Sequence, residues 1–245
     1  MGAITEEVAD GVWRHAGDIR QGMNVYLVAE ADGSGVFAFD AGVKRMAKGI
    51  EQEAAERGGL TRVILGHSHV DHRGSAPKLG VPVYCHPDEV ADAEGDGGKR
   101  YQPLGEVPVF YSKWLYRIVF PIWDGGPVKI AGTVSEGEKI GEFEVVHFPG
   151  HAPGQIGLWR ERDRLILCSD TIYLTDSMRP LGHHPGVYVP HPVFDLDAEQ
   201  ARESVRKLAA LEPAIVCPGH LGPWRDDPET VRAQLEFAAD TTPGW

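Results

Sequence analysis

Three histidines and an aspartate fall within six residues, directly behind an apolar run: Arg62-Val63-Ile64-Leu65 leads into Gly66-His67-Ser68-His69-Val70-Asp71-His72. The run has the length and content of a buried strand. A fold that ends such a strand with this much imidazole must deliver it to a sheet edge, where rigid scaffolds present functional groups. In an extended segment residues two apart point the same way, so His67 and His69 can reach one metal ion together. Asp71 and His72 follow where the chain turns, and their side chains diverge toward a second position. A polar loop that is simply rich in histidine is the plainer alternative, and the rest of the chain has to decide.

The same arrangement recurs. His151 lies in 148-FPGHAPG-154 just past a strand, Asp170 follows the apolar run Leu165–Cys168, and His220 lies in 217-CPGHLGP-223 behind another. Singly, each reads as a polar cap on a strand end. Jointly, they read as a metal site assembled from several loops.

Strand signals cover Gly11–Arg14, Asn24–Val28, Val36–Asp40, Arg62–Leu65, Val81–Cys85, Glu142–Phe148, Ile156–Arg160, Leu165–Cys168 and Ala214–Cys217. Helical spacing covers Lys44–Arg57, Asp197–Leu211 and Pro228–Ala239. Residues 92–126 break the rhythm, Gly-rich at first and then aromatic in 109-VFYSKWLYRIVFPIW-123. No composition shift marks a second domain, so residues 1–245 are expected to form one domain carrying an insertion at about 92–126. Strands followed by helices in each half predict two sheets between outer helices.

Charge and cysteine usage narrow the partners. A net charge of -12 argues against a nucleic-acid surface, which needs a basic stripe. No apolar run approaches the ~18 residues of a membrane span. The acidic start lacks the apolar core of a secretory signal. Three cysteines without zinc-finger spacing point to a reducing compartment. The expectation is a cytoplasmic protein acting on a small molecule, with no nucleic-acid or membrane partner.

The ordered set His67-x-His69-x-Asp71-His72, His151, Asp170 and His220, with an Asp40-Ala41-Gly42 turn upstream, resembles the metallo-β-lactamase superfamily over almost the whole chain. The resemblance implies an α/β four-layer αββα sandwich with a dinuclear metal site on one edge. It implies that His67, His69 and His151 hold one ion, that Asp71, His72 and His220 hold the other, and that Asp170 bridges them. Imidazole and carboxylate ligands suit two Zn²⁺ ions, and iron or manganese is compatible with the same types. Two such ions sharing a bridging hydroxide would supply a nucleophile near neutral pH. The implied activity is hydrolysis of an ester, lactone or thioester with an apolar moiety. An iron-dependent oxygenase or redox relative is the alternative.

Within the family, β-lactamases generally carry Cys or Ser where Asp170 stands, which disfavours that activity. The nucleases add basic or inserted domains, and the diiron flavoproteins a flavodoxin domain. Glyoxalase II-like thioesterases resemble 169-SDTIY-173 but add a C-terminal helical domain, and only 25 residues follow His220. Acylhomoserine lactonases often place a Tyr three residues after the bridging Asp, as Tyr173 stands here. Tyr173 thus has two readings: a catalytic hydroxyl facing the substrate, or a packed ring with its hydroxyl on backbone. The 109–123 segment likewise has two: a helix buried on both sides or in a homodimer interface, or a wall over an apolar acyl group. His15 and His86 are expected to pack or cap, His183, His184 and His191 to lie in a solvated loop, and Cys85, Cys168 and Cys217 to be small buried residues.

Overall fold

The computed structural model describes residues 3–18, 21–179 and 184–241. Seven strands form the first sheet in chain order: β1 (Ile4–Ala9), β2 (Val12–Gly17), β3 (Met23–Ala29), β4 (Val36–Phe39), β5 (Leu60–Ile64), β6 (Val83–Cys85) and β7 (Gly132–Thr133). Neighbours are antiparallel from β1 to β4 and parallel from β4 to β7. The parallel half requires crossovers, and β4 reaches β5 through α1 (Ala47–Ala55). Between β5 and β6 lies the short α2 (Val70–Arg73), and between β6 and β7 lie α3 (Val90–Ala93) and α4 (Phe110–Trp123).

The second sheet is built from β8 (Lys139–Ile140), β9 (Phe143–His147), β10 (Ile156–Arg160) and β11 (Leu165–Ser169). A two-stranded hairpin, β12 (Tyr173–Thr175) with β13 (Pro185–Tyr188), stands apart from it. The sheet is completed by β14 (Ile215–Pro218) and β15 (Trp224–Arg225), in the order β15-β14-β11-β10-β9-β8.

Three apolar layers stack through the molecule. The inner faces of the two sheets meet through Tyr26, Phe37, Phe39 and Ile64 on one side and Val145, Leu158, Leu167 and Cys217 on the other. The outer face of the first sheet packs Val25, Leu27, Ala38 and Val63 against Ile50 and Ala54 of α1 and Phe120 and Trp123 of α4. The outer face of the second packs Val146, Ile166 and Val216 against α5 (Ala198–Ala210) and α6 (Pro228–Asp240). The order is helix, sheet, sheet, helix: the expected four-layer sandwich. Asp197 caps α5 by accepting from Glu199 and Gln200 backbone N–H groups, and Asp227 caps α6 ahead of Pro228.

The expected strands and helices form within a few residues of their predicted bounds. β1, β7, β8, β15 and the β12–β13 hairpin lie outside the expected strands; β7, β8 and β15 are two residues long, and β1 is a mostly exposed edge. The aromatic segment is a helix, but not one buried on both sides. Ser112, Val119, Phe120 and Trp123 are covered, while Phe110, Trp114, Ile118 and Ile122 face out. Among the described residues, no helix is long and apolar enough to cross a membrane.

Candidate metal centre

The edge of the sandwich gathers the strand ends. β5 delivers His67 and His69, α2 presents Asp71 and His72 on a single helical turn, and the turn after β9 brings His151. β11 ends beside Asp170, and the turn after β14 brings His220. His67, His69 and His151 form one group whose candidate ligand atoms lie within 4.8 Å of one another, and Asp71, His72 and His220 form a second. Asp170 stands between the groups. Its Oδ2 is 3.2 Å from His220 Nε2 and 3.8 Å from His151 Nε2, and its Oδ1 is 3.2 Å from His72 Nε2.

Both Pro-Gly-His turns depend on their glycine. A side chain at Gly219 would collide with Asp170 and His72, and one at Gly150 would collide with the backbone of α5 at Ala201. Gly150 also has φ 124°, which L side chains rarely adopt. The motif therefore lets the chain pass close beneath the site and then present an imidazole.

Outer hydrogen bonds fix the rings. His72 Nδ1 pairs with Asp40 Oδ2 at 2.9 Å, and His67 Nδ1 with Ser169 Oγ at 3.1 Å. His151 Nδ1 pairs with Asp195 Oδ1 at 2.8 Å, and His220 Nδ1 with the Gly22 carbonyl at 3.1 Å. In each case Nδ1 is engaged and Nε2 is left to face inward. Such partners set the tautomer and orientation of metal-binding imidazoles. Asp40 and Ser169 both have left-handed backbone, φ 63° and 46°, and Ser169 Oγ donates to Asp40 Oδ2 at 2.8 Å. Backbone strain of this kind collects at functional sites. Glu89 joins two of the loops: its carboxylate accepts from the N–H of Ser68 at 2.8 Å and of Gly154 at 2.9 Å.

The electrostatics suit a cation. Burial, then the neighbouring imidazoles, pushes His67 and His69 well below the ordinary histidine range, so both are neutral as ligation requires. Burial opposes a charge on His72 and His220 too, but Asp170 together with Asp40 and Asp71 outweighs it at His72, and Asp170 together with Asp71 at His220, so both are raised. The same pairing holds Asp170 well below the usual carboxylate range despite its burial. His67 Nε2 and His151 Nε2 are buried without a hydrogen-bond partner, and His72 Nε2 and Asp170 Oδ1 have only each other, at 3.2 Å. A buried polar atom without a partner costs about 1–3 kcal/mol, and two of them converge here beside the His72–Asp170 pair. All four are ligand atom types, and cations among them would satisfy every one. The residues fit the implied metal ions.

Tyr173 falls between its two expected roles. Its ring is buried 5.3 Å from His220, and its hydroxyl donates to Asp170 Oδ2 at 2.9 Å. The hydroxyl is therefore turned toward the site and not onto backbone. His86 caps a turn by accepting from Asp88 N–H, and stacks on His147 at 4.2 Å. His191 likewise accepts from Val193 N–H, His184 is half-buried, and His183 lies outside the described residues. The three cysteines are free and buried.

Sequence reading missed Ser169, Glu89, Asp195 and Gln102. Ser169 and Asp195 each lie in the neighbourhood of a strand end or turn, but nothing in their spacing ties them to His67 or His151. Gln102, from the insertion, is buried with its amide nitrogen 3.0 Å from His69 Nδ1 and 3.2 Å from Nε2, and with Oε1 unpartnered. Rotating the amide by half a turn places Oε1 where it accepts the His69 N–H left over once the other nitrogen binds a metal. Gln102 would thus complete the pattern seen at the other four histidines. Gln102→Leu should weaken metal affinity roughly 10–100-fold in chelator competition, while Gln102→Glu, which keeps an acceptor, should retain it. Equal affinity in all three proteins would remove that role.

Comparison with known proteins agrees with this architecture. The sequence profile of the Metallo-beta-lactamase superfamily matches residues 20–220. The probable metallo-hydrolase YflN of Bacillus subtilis is 28% identical over 215 residues, 80% of each chain. The metallo-beta-lactamase family protein TTHA1429 of Thermus thermophilus superposes with a TM-score of 0.65 at 22% identity, over 95% of this chain and 79% of its own. A further structure, TTHA1623 in a di-iron-bound form, superposes with a TM-score of 0.57 at 23% identity, over 91% and 95%.

Proposed function

We propose, from the premise that the chain belongs to the metallo-beta-lactamase superfamily, that it is a dinuclear metal-dependent hydrolase of an ester, lactone or thioester with an apolar moiety. The observation that carries this reading is the convergence of seven side chains, His67, His69, Asp71, His72, His151, Asp170 and His220, with the buried Nε2 atoms of His67 and His151 left without a hydrogen-bond partner. His67, His69 and His151 would hold one ion, Asp71, His72 and His220 the other, with Asp170 shared. Bound ions would supply a water-derived nucleophile near neutral pH and neutralise oxyanion charge. Zinc suits the ligand set, and iron fits it as well.

The chain's own residues supply the rest. Asp71 is half-buried, its Oδ2 3.6 Å from His220 Nε2, and can hold a proton at the edge of the site. The Tyr173 hydroxyl gives its one proton to Asp170 Oδ2; swung from that bond, it would donate to a substrate carbonyl or leaving-group oxygen. Val107, Met178, Val193 and Phe194 form a buried apolar cluster with Val109 and Tyr116 of the insertion. Tyr116 donates to the Ser177 carbonyl at 2.5 Å, tying α4 to the segment that follows Asp170. Hydrolysis adds water across the C–O or C–S bond, and the leaving oxygen or sulfur departs with a proton.

A panel of lactone, ester, thioester, phosphodiester and β-lactam substrates, run with metal-loaded and metal-stripped protein, tests the reading. Metal-dependent turnover of the first three classes supports it; turnover of phosphodiesters or β-lactams alone overturns the substrate class. Elemental analysis of protein purified without added metal distinguishes zinc from the iron that an oxygenase would need.

Tyr173→Phe keeps the ring and removes one donor. The lost bond to a charged carboxylate should lower stability by about 1.5–3 kcal/mol. Turnover should fall roughly tenfold to a few hundredfold with metal content unchanged, the scale of one lost transition-state contact. Turnover within about twofold of wild type would assign the hydroxyl to orienting Asp170 alone.

A further inference from the structure

The insertion leaves an apolar face on the surface that the site does not use. Phe110, Trp114, Ile118 and Ile122 repeat every fourth residue along α4 and are 76%, 53%, 60% and 59% exposed. Tyr111 stands beside them, so five of the large exposed hydrophobics among the described residues belong to this one helix. Apolar side chains scattered singly are ordinary on a protein surface, but a contiguous stripe marks an interaction site.

We propose that this face of α4 seats the protein on an anionic lipid–water interface. Charge is the first argument. The chain as a whole carries a net charge of -12, yet α4 holds Lys113 and Arg117 and no acidic residue. Arg117 lies over the Trp114 ring at 5.9 Å, so the cation and the aromatic face share one edge of the stripe. Basic residues bordering a Trp/Phe/Ile face are the pattern of a helix that lies in the headgroup plane. The acidic remainder opposes this only weakly, because charges more than about 8 Å from the surface are screened at physiological salt.

Area is the second argument. Five side chains at these exposures offer on the order of 400–600 Å², taking 150–250 Å² for a whole aromatic side chain. A stable protein interface takes about 800 Å² from each partner. A second copy packed α4 on α4 would fall short of that and would set Lys113 and Arg117 against their own copies, with no acid on the helix to pair them. A lipid surface imposes no such requirement, because apolar burial and headgroup attraction add residue by residue.

Position gives the docking a use. The covered side of the same helix reaches the site. Ser112 Oγ donates to the Met178 carbonyl at 2.6 Å, and α4 packs against α2, the turn that bears Asp71 and His72. A helix resting on lipid with its other face against the cleft would bring amphiphilic acyl compounds to the site from the membrane. The docking itself does not depend on which bond the site cleaves.

The test is co-sedimentation of the full metal-loaded chain with phosphatidylcholine vesicles, with and without about a quarter phosphatidylglycerol. The wild type should bind the anionic vesicles, less so as salt is raised. Trp114→Ser/Ile118→Ser and Lys113→Glu/Arg117→Glu should each reduce that binding roughly tenfold or more, with metal content and melting temperature at wild-type values. Should the serine pair fail to fold, the charge-reversed pair carries the test alone. A wild type that stays in the supernatant, or a charge-reversed protein that binds equally, overturns the proposal. So does a wild-type dimer in sedimentation equilibrium that the serine pair converts to monomer, which would assign the face to a second copy.

Discussion

Replacing His69 with alanine should empty the position shared by His67, His69 and His151 and remove nearly all hydrolysis. Three imidazoles are the least that holds such an ion with a position left open for substrate or water. Losing an outer partner of a ligand costs about 10–100-fold in affinity or activity, so losing the ligand itself should cost more than roughly a hundredfold. The effect should be local, since His69 has Gln102 as its hydrogen-bond partner and lies on a loop between β5 and α2. Metal per chain and turnover should fall together while the far-ultraviolet dichroism of the sandwich persists. Full turnover by wild-type protein stripped of metal and assayed in chelator would sink the metallo-hydrolase reading itself.

What the sequence disclosed, and what it concealed, follows from how local each signal is. His67, His69, Asp71 and His72 share one six-residue stretch, and their directions follow from an extended segment running into a turn. His151 and His220 could be found because a close backbone approach needs Gly150 and Gly219, and so leaves a repeated Pro-Gly-His. The layer order could be read because β3–β6 and β9–β11 are apolar runs separated by turns or helical stretches, and residues 197–211 and 228–239 have helical spacing. Asp195 and Gln102 leave no such mark. Each meets its histidine 44 and 33 residues away in the chain, through a contact that exists only once two loops have folded together. The aromatic segment shows a third kind of limit. Its hydrophobicity was plain, but an apolar residue reads the same whether a neighbour covers it or not. Only the placement of Val119, Phe120 and Trp123 against the first sheet reveals that Phe110, Trp114 and Ile118 are left outside.

The outer shell explains why this edge can hold its side chains in place. Asp40 alone accepts from Gly66 N–H at 2.7 Å and Ser169 Oγ at 2.8 Å, and pairs with His72 Nδ1 at 2.9 Å. It thereby ties the ends of β4, β5 and β11 across the two sheets. Arg73, next to His72 and fully buried, donates to the carbonyls of Asp92, Ala93 and Gly95 and pairs with Asp124. The insertion is therefore anchored to α2, the turn that bears Asp71 and His72.

Asp71→Asn should separate chemistry from folding at that turn. The carboxylate's close partner among the described residues is His220, at 3.6 Å, and it caps no helix, so the amide should leave the melting temperature within a few degrees of wild type. Rate should respond quite differently. An amide is a neutral and poorer ligand, so the Asp71–His72–His220 group would hold its ion less tightly. It also cannot take or give a proton at Oδ2, and a positioned acid–base group contributes about 10²–10⁴-fold. Turnover should fall within that range, with metal content dropping from about two ions per chain toward one. Metal content and rate read in parallel divide the two roles: restoring the second ion with excess metal while turnover stays low assigns Asp71 to proton transfer, and recovery of turnover with the ion assigns it to ligation. A variant that keeps both metals and wild-type turnover would give Asp71 neither role.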